Sequence, residues 1–202
     1  MMNSVRILAL AVMATGLASC SFVFGQPTLD QPHQPIDMKT YTVSAPSGAG
    51  WKVQKDLAKG LLVFHQDPPK PTISVVRYGL PGSAQTLDED HIAGTIFDNE
   101  ERILRERGAS RSYVPSGFTR DHVVVSGKAL YVMRYSVAQS GLQVPISPLV
   151  MKYAMYLYLP THRDGHRDAY AFLIGAVAQM GSAVFTPDLA EINSVISTFE
   201  TR

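Results

Sequence analysis

The densest group of metal-binding residue types in the chain lies in one polar loop. It holds two histidines and two aspartates within seven residues: His162, Asp164, His166 and Asp168. Two imidazoles and two carboxylates at a hairpin tip could surround a divalent cation and support metal-dependent hydrolysis. The arginines between them would repel a cation, and no helical spacing holds the four side chains together. We therefore favour a solvated loop and keep the metal site as an alternative.

The signatures of common enzyme classes are absent from the sequence. It contains no Gly-x-Ser-x-Gly, His-Glu-x-x-His, P-loop or Gly-x-Gly-x-x-Gly motif. These patterns mark nucleophilic serines, catalytic zinc and phosphate-binding loops. His65, His91 and His122 are scattered, one in each of three segments. The sequence therefore favours a non-enzymatic protein without a cofactor.

Four tyrosines form the second candidate site. Tyr131 and Tyr135 lie four residues apart in one predicted strand, and Tyr156 and Tyr158 lie two apart in another. Side chains at even spacing share a strand face. Tyrosine joins apolar area to a polar tip, which suits protein interfaces, so the four could form an interaction surface. Packing in the core explains the same pattern and is the simpler interpretation.

The one cysteine, Cys20, follows a short apolar segment. Residues 7–18 are mostly apolar and follow a start whose positive side chain is Arg6. This length is typical of the apolar region of a signal peptide and is too short to span a bilayer. The motif Leu17-Ala18-Ser19-Cys20 resembles the lipobox of bacterial lipoproteins. The resemblance implies that residues 1–19 are removed and that acyl chains such as palmitate attach Cys20 to the membrane.

Lipidation of Cys20 would determine both the reactivity of its thiol and the location of the protein in the cell. A capped thiol leaves no disulfide, no thiol nucleophile and no cysteine metal ligand. Two or more acyl chains give stable attachment, because each buried methylene contributes about 0.8 kcal/mol. Ser21 stands where Gram-negative lipoproteins of the inner membrane usually carry aspartate. The resemblance therefore implies an outer-membrane lipoprotein whose folded part faces the periplasm.

Charge and composition predict one neutral domain. The chain has 18 Lys and Arg against 17 Asp and Glu, and loss of Arg6 with residues 1–19 makes the two numbers equal. A neutral protein is a poor candidate for nucleic-acid binding. Residues 20–38 contain several prolines and glutamines and no apolar periodicity, which predicts a flexible linker. Residues 39–202 are long enough for one domain with a sizeable core.

Two helices are predicted at widely separated positions. The first covers about 87–107, because Thr86 and Glu89 match a capping box and Gly108 follows the last apolar repeat. The second covers about 187–200. The segments between them show the short apolar alternation of strands, joined by turn residues. Predicted strands cover 41–44, 51–54, 61–65, 72–78, 121–126, 129–138, 150–159 and 168–178.

The strand pattern predicts an α+β fold. Short turns between successive strands imply an antiparallel sheet, and the two helices would flank it. Strands 150–159 and 168–178 are apolar on both faces. Such strands belong in the middle of a sheet that is covered on both sides.

The order of these elements resembles the PsbP-like and DcrB-like proteins. The resemblance covers 39–202, although the section 111–148 is longer than in those proteins, and it transfers no functional residue. It implies an antiparallel sheet flanked by helices, in a family that includes lipoproteins and extrinsic subunits assisting membrane complexes. The residues that carry it are Tyr41, Val43, Pro46, Gly50, Trp51, Ile192, Ile196 and Phe199.

The sequence as a whole predicts a lipid-anchored envelope protein that binds or helps to assemble another envelope protein. Two alternatives stay open. A cleft between sheet and helix could carry a lipid or another small ligand. The loop that contains His162 and His166 could instead serve a metal-dependent hydrolase.

Overall fold

The computed structural model describes residues 34–48, 50–65, 72–80, 82, 87–111, 113–139, 150–161, 169–178 and 189–202. Within these ranges the chain forms ten strands and two helices. In chain order they are β1 (Ile36–Asp37), β2 (Tyr41–Val43), β3 (Lys52–Asp56), β4 (Leu61–His65), β5 (Thr72–Gly79), α1 (Glu89–Arg111), β6 (Tyr113–Val125), β7 (Lys128–Gln139), β8 (Val150–Tyr158), β9 (Tyr170–Ala178), α2 (Leu189–Thr198) and β10 (Glu200–Thr201).

Seven strands form one antiparallel sheet in the order β3-β4-β5-β9-β8-β7-β6. The predicted α+β architecture is confirmed, with a helix on each side of the sheet. Strand β9 lies at the centre and β8 beside it. Phe172 and Ile174 of β9 pack on one face, and Ala171 and Leu173 pack on the other. The apolar character of both faces therefore predicted their central position correctly.

A smaller sheet joins the two ends of the described chain. Strand β2 pairs with both β1 and β10. Met38, which follows β1, is 1% exposed, and Arg202 bonds the Asp37 carboxylate at 2.9 Å. The ordered fold thus includes part of the segment 20–38 that was predicted as linker. Ile36 and Met38 supply the apolar alternation that extends the fold toward the N-terminus.

Helix α2 and the small sheet cover one side of the large sheet, which we call the α2 face. Ile192, Val195 and Ile196 of the helix are buried there. Helix α2 ends at Thr198, before the predicted end at 200, because the next residues leave as β10. Phe199, at this junction, is completely buried. Its ring lies 4.9 Å from Phe172 and 5.1 Å from Tyr41, between ring centroids.

Helix α1 covers the opposite side, which we call the α1 face. Its apolar stripe includes Ile92, Ile96, Phe97 and Leu104. The helix continues to Arg111, beyond the predicted end at 107, because Gly108 lies inside it instead of capping it. Neither α1 nor α2, which are the helices of the described part, combines the length and apolar character that crossing a membrane requires.

Candidate interaction surface

Strand β6 is one edge of the seven-stranded sheet in the described part of the chain. It begins at Tyr113, eight residues before the predicted start at 121. A register shift between Ser116 and Thr119 interrupts its pairing with β7, and Gly117 has φ +65° there. Such a bulge breaks the apolar alternation by which a strand is recognised in sequence. The surface described below runs along β6 and the adjacent part of α1.

The turn between β6 and β7 sets which backbone groups point outward. Ser126 and Gly127 both have positive φ, as a type I′ turn requires. In such a two-residue hairpin the flanking pair, Val125 with Lys128, exchanges both backbone hydrogen bonds. Bonded pairs then recur at every second residue along β6. The N–H and C=O groups at the intervening positions 120, 122 and 124 therefore point away from β7.

The central outward N–H has a side-chain acceptor. His122 donates its backbone N–H to Oδ1 of Asp121 at 2.8 Å. A charged side chain on an edge strand opposes unspecific strand pairing. The outward N–H and C=O groups of positions 120 and 124 therefore lie on either side of the negatively charged Asp121 carboxylate. A strand that pairs here must displace the Asp121 carboxylate or offer it a basic group.

Two large apolar side chains project from β6 into solvent. Val114 is 57% exposed and Val124 is 75% exposed, more than any other large apolar residue of the described part. The opposite edge of the sheet, β3, has five residues and carries Lys52 and Lys55. Short, lysine-bearing edges are protected against pairing. Of the two edges, β6 is thus the longer and the more apolar.

Arg120 connects β6 to helix α1. Its guanidinium lies 2.7 Å from the Asp98 carboxylate and 3.1 Å from the Glu101 carboxylate. Glu101 also bonds Arg105 at 2.8 Å. Arg102 pairs with Glu106 one turn further along, at 2.7 Å. Arg102 and Arg105 of α1 are therefore paired with acidic side chains of the same helix.

Aromatic rings lie beneath this ionic network. The Phe118 ring stacks on Tyr135 with centroids 5.2 Å apart, and Tyr135 stacks on Tyr153 at 4.9 Å. The Arg105 guanidinium lies 4.7 Å above the Phe118 ring, within the range of a cation–π contact. The corner between α1 and β6 is therefore fixed by packed rings and by charges above them.

A polar cluster lies at the N-terminal end of α1. Tyr131 donates its hydroxyl to Asp90 at 2.9 Å. The His122 ring meets the Tyr131 ring edge to face at 4.4 Å and lies 3.4 Å from the same carboxylate. Burial, the hydrogen bond to Asp90 and nearby acidic residues raise the pKa of Tyr131, so its hydroxyl stays protonated. The cluster can donate hydrogen bonds but has no activated nucleophile.

The four candidate tyrosines do not form one surface. Each pair shares a strand face, but β7 and β8 pair with Val132 opposite Tyr156. Tyr131 and Tyr135 therefore lie on the α1 face, and Tyr156 and Tyr158 lie on the α2 face. Tyr135 and Tyr156 are 3% and 2% exposed. Core packing thus explains most of the pattern, and only Tyr131 belongs to the surface along β6.

Two sequence-predicted sites, the possible metal-binding loop and the lipidation site, lie outside the surface along β6. The loop that contains His162, Asp164, His166 and Asp168 lies outside the described residues, and so does Cys20. Thr161, just before that loop, donates its hydroxyl to Glu89 at 3.1 Å. Among the described residues, no three His, Cys, Asp or Glu side chains are grouped so that they could hold a metal ion. The metal site and the lipidation site stay predictions.

One buried group was missed by reasoning from sequence. Glu100 of α1 is 3% exposed. It stands four residues after Ile96 and four before Leu104, both of which belong to the buried stripe. Residues four apart occupy one helix face. That spacing was the available signal, since it puts a carboxylate in line with the core.

Comparisons with known proteins bear on the fold. No protein-family model matches the chain, and no curated protein matches it. It is similar to the solution structure of cyanobacterial PsbP (CyanoP) from Synechocystis sp. PCC 6803, with a TM-score of 0.52 and 18% identity. The match covers 84% of this chain and 92% of that chain. The fold is therefore PsbP-like, as the order of elements predicted.

Proposed function

We propose that this protein is a non-enzymatic accessory module of the bacterial envelope that binds a partner protein along strand β6. The observation that carries the proposal is the character of this edge. It is long, presents backbone hydrogen-bonding groups outward at positions 120 and 124 and the C=O of position 122, and bears the exposed side chains Val114 and Val124.

The chemistry of β6 favours an extended segment as the partner. Added strands gain affinity from main-chain hydrogen bonds and specificity from alternate side chains. Apolar residues of the partner would cover Val114 and Val124, and a basic residue would pair with Asp121. Two copies of this chain fit poorly, because antiparallel pairing of β6 with itself about His122 brings the two Asp121 carboxylates close together. We therefore propose that the partner is a different protein.

The PsbP-like fold supports an accessory role. CyanoP shares this fold, and the PsbP-like proteins that the sequence resembles include extrinsic subunits that assist membrane complexes. Attachment through acylated Cys20 completes the proposal. The segment between Cys20 and β1, whose sequence predicts a linker, would allow the domain to reach a partner away from the membrane surface.

Site-specific photo-crosslinking in cells that naturally make the protein tests the binding proposal. A photo-crosslinking residue is placed at position 124, at position 114, or at position 57 as a control. Leu57 is also exposed, at 40%, but lies in the turn after β3, at the opposite edge. We expect one discrete adduct from 124 and from 114, and none from 57. Equal adducts from all three positions, or none from β6, would refute the proposal.

The anchoring proposal is tested separately. Intact-mass analysis of the native protein should show cleavage before Cys20 and added acyl chains. A Cys20→Ala variant should leave the membrane fraction and lose the adduct at position 124, because the domain is no longer held near its partner. An unmodified Cys20 would refute the anchor. A reproducible lipid extracted from the domain, without a protein adduct, would favour the alternative of a ligand carrier.

A further inference from the structure

Helix α1 carries a carboxylate that is enclosed by the fold and has one oxygen without a hydrogen-bond partner. Glu100 is 3% exposed, and its Oε1 has no hydrogen-bond partner in the structure. Of the described residues, it is the one buried acid. A buried polar atom without a partner costs stability, and the cost is larger when the group is charged. Glu100 therefore opposes the packing of α1 on the sheet whenever it is ionised.

The charged and polar groups around Glu100 offset little of the cost of burying its ionised carboxylate. Arg107, on the same helix, is the cation whose charge acts on it. From β5, Tyr78 faces it, and burial together with the Glu100 charge raises the pKa of Tyr78 to about 12. The other titratable groups that the described strands present on the α1 face include tyrosine hydroxyls, the imidazoles of His65 and His122, and the Arg120 guanidinium of β6. Arg120 is already paired with Asp98 and Glu101.

Burial is the main influence on the protonation state of Glu100. It raises the pKa of the carboxyl from 4.5 to about 7, and Arg107 offsets only part of this effect. The carboxyl is therefore neutral when α1 is packed at mildly acidic pH, and it becomes charged as the pH passes neutrality. In an opened helix the same group would be solvated and would ionise near its ordinary pKa.

We propose that Glu100 makes the packing of helix α1 on the sheet pH-dependent near neutrality. When Glu100 is protonated, α1 stays closed against the α1 face. When it is ionised, α1 opens more readily, while the α2 face stays closed. The buried polar residues that the structure shows besides Glu100 are Ser44, His65 and Ser74, and none of these is an acid. The inference does not depend on the proposed partner of β6.

The direction of the effect follows from the two protonation equilibria. The opened state releases its proton near pH 4.5, and the closed state near pH 7. The proton thus favours the closed state, which is fully stabilised below pH 4.5 and loses that advantage as the pH rises through 7. Between pH 5.5 and 8.5 we expect the equilibrium constant for opening of α1 to increase by about thirty-fold.

Amide hydrogen exchange of the purified protein, read by mass spectrometry from pH 5.5 to 8.5, tests the inference. Exchange rates are corrected for their intrinsic pH dependence, and peptides of α1 are compared with peptides of α2. In the wild type, protection of α1 should fall by about thirty-fold, and protection of α2 should not change. Glu100→Gln should remove the pH dependence. Glu101→Gln is the matched control, because it removes a carboxylate one residue away that lies nearer the surface and is paired with Arg105 and Arg120, and this variant should keep the pH dependence.

Three results would overturn the inference: α1 protection that does not vary with pH, equal loss of protection in α1 and α2, or the same flattening in Glu101→Gln. If Glu100→Gln does not fold, carbon-13 NMR of the glutamate carboxyls in the wild type gives the answer directly. A buried glutamate that titrates near pH 7 supports the inference. Titration of every glutamate below pH 5 refutes it.

Discussion

The two faces of the seven-stranded sheet are covered in different ways. On the α2 face, a short apolar helix packs on the sheet through its side chains and runs directly into β10, which pairs with β2 of the small sheet. On the α1 face, a helix of 23 residues is held by one apolar stripe. That stripe contains Glu100, and ion pairs join the outer side of the helix to β6.

The α2 face is therefore the more stable side of the fold, and the α1 face is the side whose packing responds to pH. The α2 face buries aromatic rings against one another and leaves no ionisable acid among the described buried residues, so pH has little to act on. The α1 face contains a group whose pKa lies near neutrality. Hydrogen bonds from Tyr131 and Thr161 and ion pairs near the surface also hold α1, and such ion pairs contribute little to stability. Local opening should therefore begin on the α1 face, next to the proposed binding edge.

The largest effect should come from the α2 face. Phe199→Ala removes a completely buried ring that contacts Tyr41, Phe172 and Tyr158. We expect a loss of about 3–5 kcal/mol in the free energy of unfolding, measured by urea denaturation. The loss should be the same at pH 5.5 and 8.5. Leu57→Ala, at an exposed apolar residue, should change stability by about 0.5 kcal/mol or less. Similar losses from both would contradict the assignment of the core.

The second largest effect on stability should come from the ionisation of Glu100. A pKa that rises from 4.5 to about 7 on folding destabilises the ionised native protein by about 3 kcal/mol. Global stability should therefore fall between pH 4.5 and 7.5, and Glu100→Gln should flatten that fall. Asp37 and Asp56 act at lower pH, because backbone hydrogen bonds from Lys39 and Lys59 lower the pKa of each carboxyl. An equally steep fall in Glu100→Gln would show that another group is responsible.

A smaller effect should come from Gly60, in the turn between β3 and β4. Its φ is +62°, and an added Cβ would lie 2.8 Å from the Cβ of Arg77. Gly60 also accepts hydrogen bonds from the Arg77 N–H and the Tyr41 hydroxyl. We expect Gly60→Ala to cost about 2 kcal/mol. Gly117→Ala, where φ is +65° and no atom lies within 4 Å of the added Cβ, has nearly the same backbone strain without the contact and should cost less.

The sequence predicted the fold well where local patterns and tertiary packing agree. Strands β8 and β9 are apolar on both faces, and both lie in the interior of the sheet. Both helices were recognised by their apolar stripes, with ends that differ by a few residues. Strand β6 was recognised only in part, because Pro115 and Gly117 interrupt its first half and the register shift occurs there. Apolar alternation identifies regular strands, but it does not identify a strand that a bulge interrupts.

The candidate surface was harder to predict for a physical reason. Strand order is a property of the whole sheet, so no local pattern shows that β6 is an edge. The tyrosines show the same limitation, because periodicity places Tyr131 with Tyr135 but does not determine the register between β7 and β8. That register puts Tyr131 and Tyr156 on opposite faces. Only Glu100 had a local signal, its position between Ile96 and Leu104.

The smallest effect should come from Arg120, which joins β6 to α1. Its partners Asp98 and Glu101 lie near the surface, and the Arg120 side chain is 37% exposed, so solvent screens both ion pairs. A double-mutant cycle of Arg120→Ala with Glu101→Ala should give a coupling energy of about 0.2–1 kcal/mol, which falls as salt rises. A coupling above about 2 kcal/mol would mean that charges hold α1 as firmly as aromatic packing holds α2. The contrast between the faces would then be lost, because α1 would no longer be the element that opens first.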